Sequence, residues 1–313
     1  INMREVDVLK SFRAALDAIA AREPDIVVHS GDLFHVVRPT NFTIANAFTD
    51  LSKFQERRRG RPLLLIGGNH DTPRNIESGN ILKLFSHIPG VIVEVGGAIT
   101  RVLESERLEA MFVPWHSLHV RENIGWSPQT SMAHKLLIVH GMAKECAVDP
   151  TQEVDFDVET TRADRWDYVA LGDVHEHQLL APNVAYAGST DYTSTNIWDE
   201  LRVPKGWVWF DTERREVEHV PSPVRRVFDL KPIDAEGLTA ESLSEALLRA
   251  TSPWEDLPIV RQVVKNVLPE VRSKVDQEVL RTIQARALFY RLEMRAAALT
   301  RKGEGSTTHE GAL

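Results

Sequence analysis

Histidine, aspartate and asparagine recur in this chain at spacings that could hold metal ions. Four segments place them directly after short apolar runs. His29-Ser30-Gly31-Asp32-Leu33-Phe34-His35 follows Ile26 to Val28, and Gly68-Asn69-His70-Asp71 follows Leu63 to Ile66. His140-Gly141 ends Leu136 to Val139, and Gly172-Asp173-Val174-His175-Glu176-His177 ends Tyr168 to Leu171. Each alone would suit a turn or a satisfied polar cluster. Four in series, each with a glycine permitting a tight backbone path, point to a shared site. A bridging carboxylate with imidazoles, an amide oxygen and no thiolate suits Mn²⁺, Fe²⁺ or Zn²⁺. Two such ions about 3.5–4 Å apart could share Asp32, generate hydroxide at neutral pH and clamp both oxygens of a phosphoryl transfer. His70 adjoins Asn69 but points differently along its loop. It therefore reads as an acid or charge stabiliser near the leaving oxygen rather than a ligand.

Placing those residues requires a sheet whose strand ends open on one edge. Residues 4 to 23 set Val6, Leu9, Phe12, Leu16 and Ile19 three and four apart, which predicts an amphipathic helix, and Asp25 to His29 reads as a short buried strand. Further β-rich runs lie at Pro62 to Ile66, Val91 to Val95, Leu108 to Val113, Leu136 to Val139, Tyr168 to Leu171 and Trp207 to Phe210. Helical pattern is clearest at Thr43 to Phe54 and Ser78 to Ile88, and a mixed parallel and antiparallel sheet is expected. Pro221-Ser222-Pro223 breaks the pattern. A second cycle follows: strand (Val227 to Leu230), helix (Ala240 to Ala250), strand (Ile259 to Val264), helix (Glu270 to Ile283), strand (Ala287 to Leu292), which predicts a second, small α/β domain. A helix leading such architecture is normally the crossover from an earlier parallel strand, so one more strand is expected upstream. Thr300 to Leu313 is polar and Gly/Ser-rich, as a linker would be.

The 313 residues, 42% hydrophobic and 26% charged, exclude disorder and fibres and leave room for two cores. No apolar run is long enough to span a bilayer, the N-terminus lacks a signal-peptide pattern, and no membrane association is expected. Cys146 is the only cysteine, which excludes an intrachain disulfide or thiolate cluster and suits the reducing cytoplasm. With 37 basic and 45 acidic residues the net charge is -8, which disfavours a surface coated in nucleic-acid contacts but leaves room for a local basic groove. The Arg57-Arg58-Arg59-Gly60-Arg61 run reads first as a solvated helix end, with phosphate binding as the alternative. His116, His119 and His134 have no ligand-like spacing and read as structural or surface residues.

The ordered set GD, GNHD, strand-terminal HG and HxH resembles the signature of calcineurin-like metallophosphoesterases. The version here has GDLFH followed by Arg38-Pro39-Thr40, then GDVHEHQ and Tyr186-Ala187-Gly188-Ser189. It looks like the nuclease subunit of double-strand-break-repair complexes, the SbcD-type exonucleases and their archaeal and eukaryotic counterparts. The resemblance runs from Arg4 to about Leu292. It implies an α/β protein with a β-sandwich flanked by helices over residues 1–222, its first strand missing, and a small α/β capping, DNA-binding domain over 223–296. Residues 297–313 would then lead to a partner-binding segment. Carried over residue by residue, Asp32 would bridge two divalent ions, foremost Mn²⁺, with Asn69, His140 and His175 completing one and His177 serving the other. His70 would be catalytic, His35 would orient it, and Arg38 and Ser189 would meet substrate. The family's opening Asp-x-His motif has no match, since the first Asp is Asp7 and no His precedes His29, and the arginine common after Gly-Ser is absent. The implied activity is 3′-to-5′ exonuclease and endonuclease cleavage of DNA by a homodimer with an SbcC-type coiled-coil ATPase. A stand-alone small-nucleotide phosphodiesterase and a catalytically inactive DNA-binding subunit are the alternatives.

Overall fold

A computed structural model describes residues 2–75, 79–149, 151–194, 196–251 and 253–296. The chain divides into two compact units, Ile1–Val224 and Arg225–Leu313. In the first, helix α1 (Met3–Ala21) leads to strand β1 (Val27–His29), helix α2 (Asn41–Arg57) and strands β2 (Leu63–Ile66) and β3 (Val91–Glu94). Then come β4 (Ile99–Leu103), β5 (Leu108–Val113), the one-turn helix α3 (Trp115–His119), β6 (His134–His140) and β7 (Tyr168–Gly172). Strands β8 (Gln178–Ala181) and β9 (Val184–Tyr186) and the hairpin β10 (Gly206–Asp211) and β11 (Glu216–Pro221) complete the unit. Ile81–His87 forms a 3₁₀ turn rather than an α-helix, capped by the Asn80 side chain on Leu82 N. The expected helix started at Ser78, which lies outside the described residues, as does the tail from residue 297.

Two sheets build a sandwich. One is all parallel, in the order β1-β2-β3; the other is mixed, β4-β5-β6-β7-β9-β8, with antiparallel pairs β4/β5 and β8/β9 at its ends. Strand residues alternate between faces, and here both faces are buried, which is why the runs read as continuously apolar. Leu63 and Leu65 of β2 pack with Leu16 of α1 and Leu51 and Phe54 of α2. Leu64 and Ile66 instead meet Ala110 and Phe112 of β5 and Ile138 of β6 between the sheets. Met111, Val113, Leu137 and Val139 face the other way, toward Trp166 and Tyr186. α1 is tied down at its start: Arg4 pairs with Asp191 at 2.9 Å and Ser11 donates to the same carboxylate at 2.6 Å.

Among the described residues β1 pairs only with β2, and β10 only with β11. The open edges of β1 and β10 border one cavity of about 600 Å³, lined by Val27, Val28, Tyr168, Trp207 and Trp209 among others.

In the second unit β14 (Ile259–Val267) pairs in parallel with β12 (Val227–Asp229), β13 (Ile233–Asp234) and β15 (Phe289–Ala296). Helix α4 (Ala240–Ala250) begins with a capping box of Thr239 and Ser242. The helix expected over Glu270 to Ile283 is two: α5 (Pro269–Arg272) and α6 (Gln277–Gln284). Asp276 interrupts it because its carboxylate caps Glu278 N at 2.7 Å, starting a new helix. Leu243 and Leu247 pack against Val260 and Val264 to form a separate core.

Candidate metal centre and active site

Four parallel strands from both sheets deliver their following residues to one edge. β1 leads through Ser30 and Gly31 to Asp32, β2 to Asn69, His70 and Asp71, β6 ends at His140, and β7 ends at Gly172 before Asp173. His140 is fully buried. Its Nδ1 donates to the Ser30 carbonyl at 2.7 Å, so the proton sits there and Nε2 presents a lone pair. Around Nε2 lie Asn69 Oδ1 at 3.1 Å, Asp32 Oδ2 at 3.5 Å and Asp173 Oδ1 at 3.7 Å. Ligand atoms of Asp32, His140 and Asp173 all fall within 4.8 Å of one another.

The backbone is packed as closely as glycine permits. A Cβ on Gly68 would stand 2.1 Å from Asp32 Oδ1, and one on Gly172 would stand 1.8 Å from the Ser30 carbonyl oxygen. Asp32 and Asp173 both adopt positive φ, 57° and 110°. For non-glycine residues such conformations cost on the order of 1–3 kcal/mol and mark sites where geometry outranks local comfort.

Acceptor atoms alone converge here: two carboxylates, an amide oxygen and an imidazole lone pair. Burial, reinforced by the Asp32 charge, raises the Asp173 carboxyl, and the same causes push Asp71 up to about 6. A divalent cation would supply the positive charge this cluster lacks, and a donor set of oxygen and imidazole without thiolate suits Mn²⁺, Fe²⁺ or Zn²⁺. The residues therefore fit the group.

Asp71 is buried and works as a clamp, accepting from Gly68 N and Leu33 N at 2.8 Å each and so joining the β1 and β2 loops. His70 N donates to Asp32 Oδ1 at 2.9 Å, and its ring Nδ1 meets the His35 carbonyl at 2.9 Å. The two rings stack at 4.8 Å and 19°. His35 thus touches His70 through its main chain and its ring face, leaving Nε2 of His70 the ring nitrogen not held by this bond. His175 lines, with Asp32, His35, His70 and Asp173, a cavity of about 310 Å³, and its Nδ1 meets Glu200 Oε1 at 3.0 Å. Burial opposes ionisation of Glu200, but hydrogen bonds from His175, Lys205 and Ser194 and the Lys205 charge hold its carboxyl at about 2.

His177 is not brought into this cluster. Its Nδ1 donates to the Tyr186 carbonyl at 2.7 Å and its ring stacks flat on His219 of β11 at 4.4 Å. Ser189 is also engaged: its hydroxyl donates to the Asp191 carbonyl at 2.7 Å and accepts from Lys205 at 2.9 Å. Arg38 is exposed and has no hydrogen-bond or ion-pair partner among the described residues. Asp71 and Asp173 lie in the sequence motifs but carry no assigned role there, and Glu200 and Lys205 fall outside the motifs. For Asp173 a signal existed, since Gly172-Asp173 repeats the Gly31-Asp32 strand-end pair.

Two strand-end loops from each layer of a sandwich, converging on such a donor set, define a metallophosphoesterase centre, and the chain belongs to the calcineurin-like phosphoesterase family, which it matches over residues 6–177. It is similar to several proteins called DNA double-strand break repair protein Mre11. That of Methanococcus maripaludis is 30% identical over 210 residues, 63% of this chain and 54% of that protein. That of Methanocaldococcus jannaschii is 24% identical over 246 residues, 75% of this chain and 62% of that protein, and that of Haloferax volcanii is 28% identical over 244 residues, 73% and 48%. The chain spans roughly half to three-fifths of these relatives' lengths. Among the described residues no helix is long and apolar enough to cross a membrane.

Proposed function

We propose that this chain is the nuclease portion of a double-strand-break-repair enzyme that hydrolyses DNA phosphodiesters with two divalent ions, foremost Mn²⁺. The observation that carries the reading is the convergence of Asp32, Asn69, His140 and Asp173 on one point beside His70 and His175, in a chain similar to Mre11 proteins. In this reading Asp32, Asn69, His140 and Asp173 would hold one ion and Asp32 with His175 would serve the other; the Nδ1 bond of His177 to the Tyr186 carbonyl leaves its Nε2 lone pair open as a further ligand. Bound there, divalent ions supply a hydroxide at neutral pH and neutralise phosphate charge. The chain's own residues do the rest. His70, whose Nδ1 donates to the His35 carbonyl, presents Nε2 to the leaving oxygen and would give up a proton there as the imidazolium, returning to the Nδ1–H neutral ring, and Arg38, free on its loop, meets a backbone phosphate.

The same reading has residues 223–296 as the DNA-contacting cap and the protein as a cytoplasmic homodimer joined to an SbcC-type coiled-coil ATPase, giving 3′-to-5′ exonuclease and endonuclease products. Exposed Val36, Val37, Phe42 and Leu84 around the start of α2 offer an apolar face for a second copy.

A salt series tests the substrate class. Duplex binding in Ca²⁺ should weaken linearly in log-log form with a slope reflecting about three to six neutralised phosphates. A flat slope together with efficient Mn²⁺-dependent hydrolysis of a small aryl phosphodiester would instead mark a small-molecule phosphodiesterase.

A further inference from the structure

His175 lies 25 residues before the group that grips it, Glu200, which comes from the 3₁₀ turn Asp199–Arg202, outside every strand-end motif. Glu200 Oε1 accepts from His175 Nδ1 at 3.0 Å and from Ser194 N at 3.0 Å, and Oε2 pairs with Lys205 Nζ at 2.7 Å. Lys205 is only 2% exposed. The same ammonium donates to the His175 carbonyl and to Ser189 Oγ, each at 2.9 Å. The carboxylate therefore holds the ring of His175 while the ammonium holds its main chain. A carboxylate on Nδ1 selects the tautomer with the proton on that nitrogen and leaves the Nε2 lone pair for a cation. A buried ion pair is a poor way to gain stability, because desolvation cancels most of the attraction. Its arrangement around a single histidine calls for another account.

We propose that Glu200, with Lys205 as its counter-charge, is a positioning residue that fixes the orientation and tautomer of His175 so that Nε2 ligates metal. This rests on the reading of His175 as a ligand, and the experiment separates the two. Mn²⁺ titration calorimetry on the full chain compares wild type, His175→Ala, Glu200→Ala and Glu200→Gln, with melting temperatures recorded beside them. Removing such a partner typically costs 10–100-fold in metal affinity. Glu200→Ala should show a loss of that size, and Glu200→Gln, which keeps an acceptor, a smaller one. If both glutamate variants bind Mn²⁺ within twofold of wild type while His175→Ala loses tenfold or more, the role of Glu200 is overturned. If His175→Ala itself binds normally, the ligand assignment fails instead. A long-range ¹H-¹⁵N spectrum of the metal-free wild type needs no Glu200 variant. Its His175 signals, assigned by their loss in His175→Ala, should show the proton on Nδ1, and a proton on Nε2 would overturn the proposal.

Discussion

Replacing Gly172 by alanine tests how tightly the two sheets' loops are packed around His140. The new Cβ would sit 1.8 Å from the Ser30 carbonyl oxygen, 2.8 Å from its carbon and 2.9 Å from His140 Nδ1. Ordinary contact needs more than 3 Å, so the Ser30 backbone must retreat by over an ångström. That retreat breaks the 2.7 Å bond between Ser30 O and His140 Nδ1 and strains the 3.1 Å bond from Ser30 Oγ to the Leu171 carbonyl. Overpacking costs about 1–3 kcal/mol, and a buried N–H left without a partner about 1–3 more. Together they give about 2–6 kcal/mol, or roughly 4–24 °C at about 2–4 °C per kcal/mol for a unit of this size. Tryptophan fluorescence reads the first unit, because six of the seven tryptophans lie there and only Trp254 lies in the second. Mn²⁺ affinity should fall with stability, since His140 loses the acceptor that sets its tautomer. Gly96→Ala, where a Cβ would meet nothing within 4 Å, is the control and should melt within about 2 °C of wild type. A Gly172→Ala protein that melts with the control and binds Mn²⁺ normally would refute the close-packing argument.

His70→Ala should retain metal but lose on the order of 10²- to 10³-fold in turnover, read by nuclease assay beside metal analysis; stoichiometric metal loss would make it a ligand. His35→Ala keeps the carbonyl that holds His70 and loses only the ring stack, about 0.5–1.5 kcal/mol, so turnover should fall no more than about tenfold; a loss matching His70→Ala would mean that the ring acts directly. Leu64→Ala removes a fully buried side chain between the sheets and should lower urea stability by about 2–5 kcal/mol at unchanged m-value, whereas a loss under 1 kcal/mol would mean that the interlayer is loosely packed.

Strands buried on both faces were the most legible elements, because continuous apolar runs such as Leu63 to Ile66 leave few other structures open. The antiparallel strands Ile99–Leu103, Gln178–Ala181 and Glu216–Pro221 were not read, being partly exposed and carrying charged or polar residues in place of an apolar run. At the site, Asp32, Asn69, His70 and His140 were visible since each directly follows or ends such a run. Glu200 and Lys205 were not, because their meaning lies in contacts across sequence distances that no local pattern encodes. Asp173 and His177 differ by four positions in a single loop, and spacing alone does not encode that Asp173 lies with Asp32 and His140 while His177 stacks on His219.

The central carboxylate of the site hangs from the least secured strand of its sheet. β1 has three residues and one hydrogen-bonded neighbour, and its far edge faces a cavity. Water must satisfy the peptide groups along that edge, and a strand so held is the first to fluctuate when a sheet opens locally. What keeps Asp32 in register is a set of cross-links past the end of the strand: Ser30 to Leu171 and His140, and Leu33 to Asp71. Mechanically, Asp32 is moored to both layers, through His70 and Asp71 on its own side and through Ser30 to Leu171 and His140 on the other, so motions that shear one sheet over the other pull on its loop from two sides.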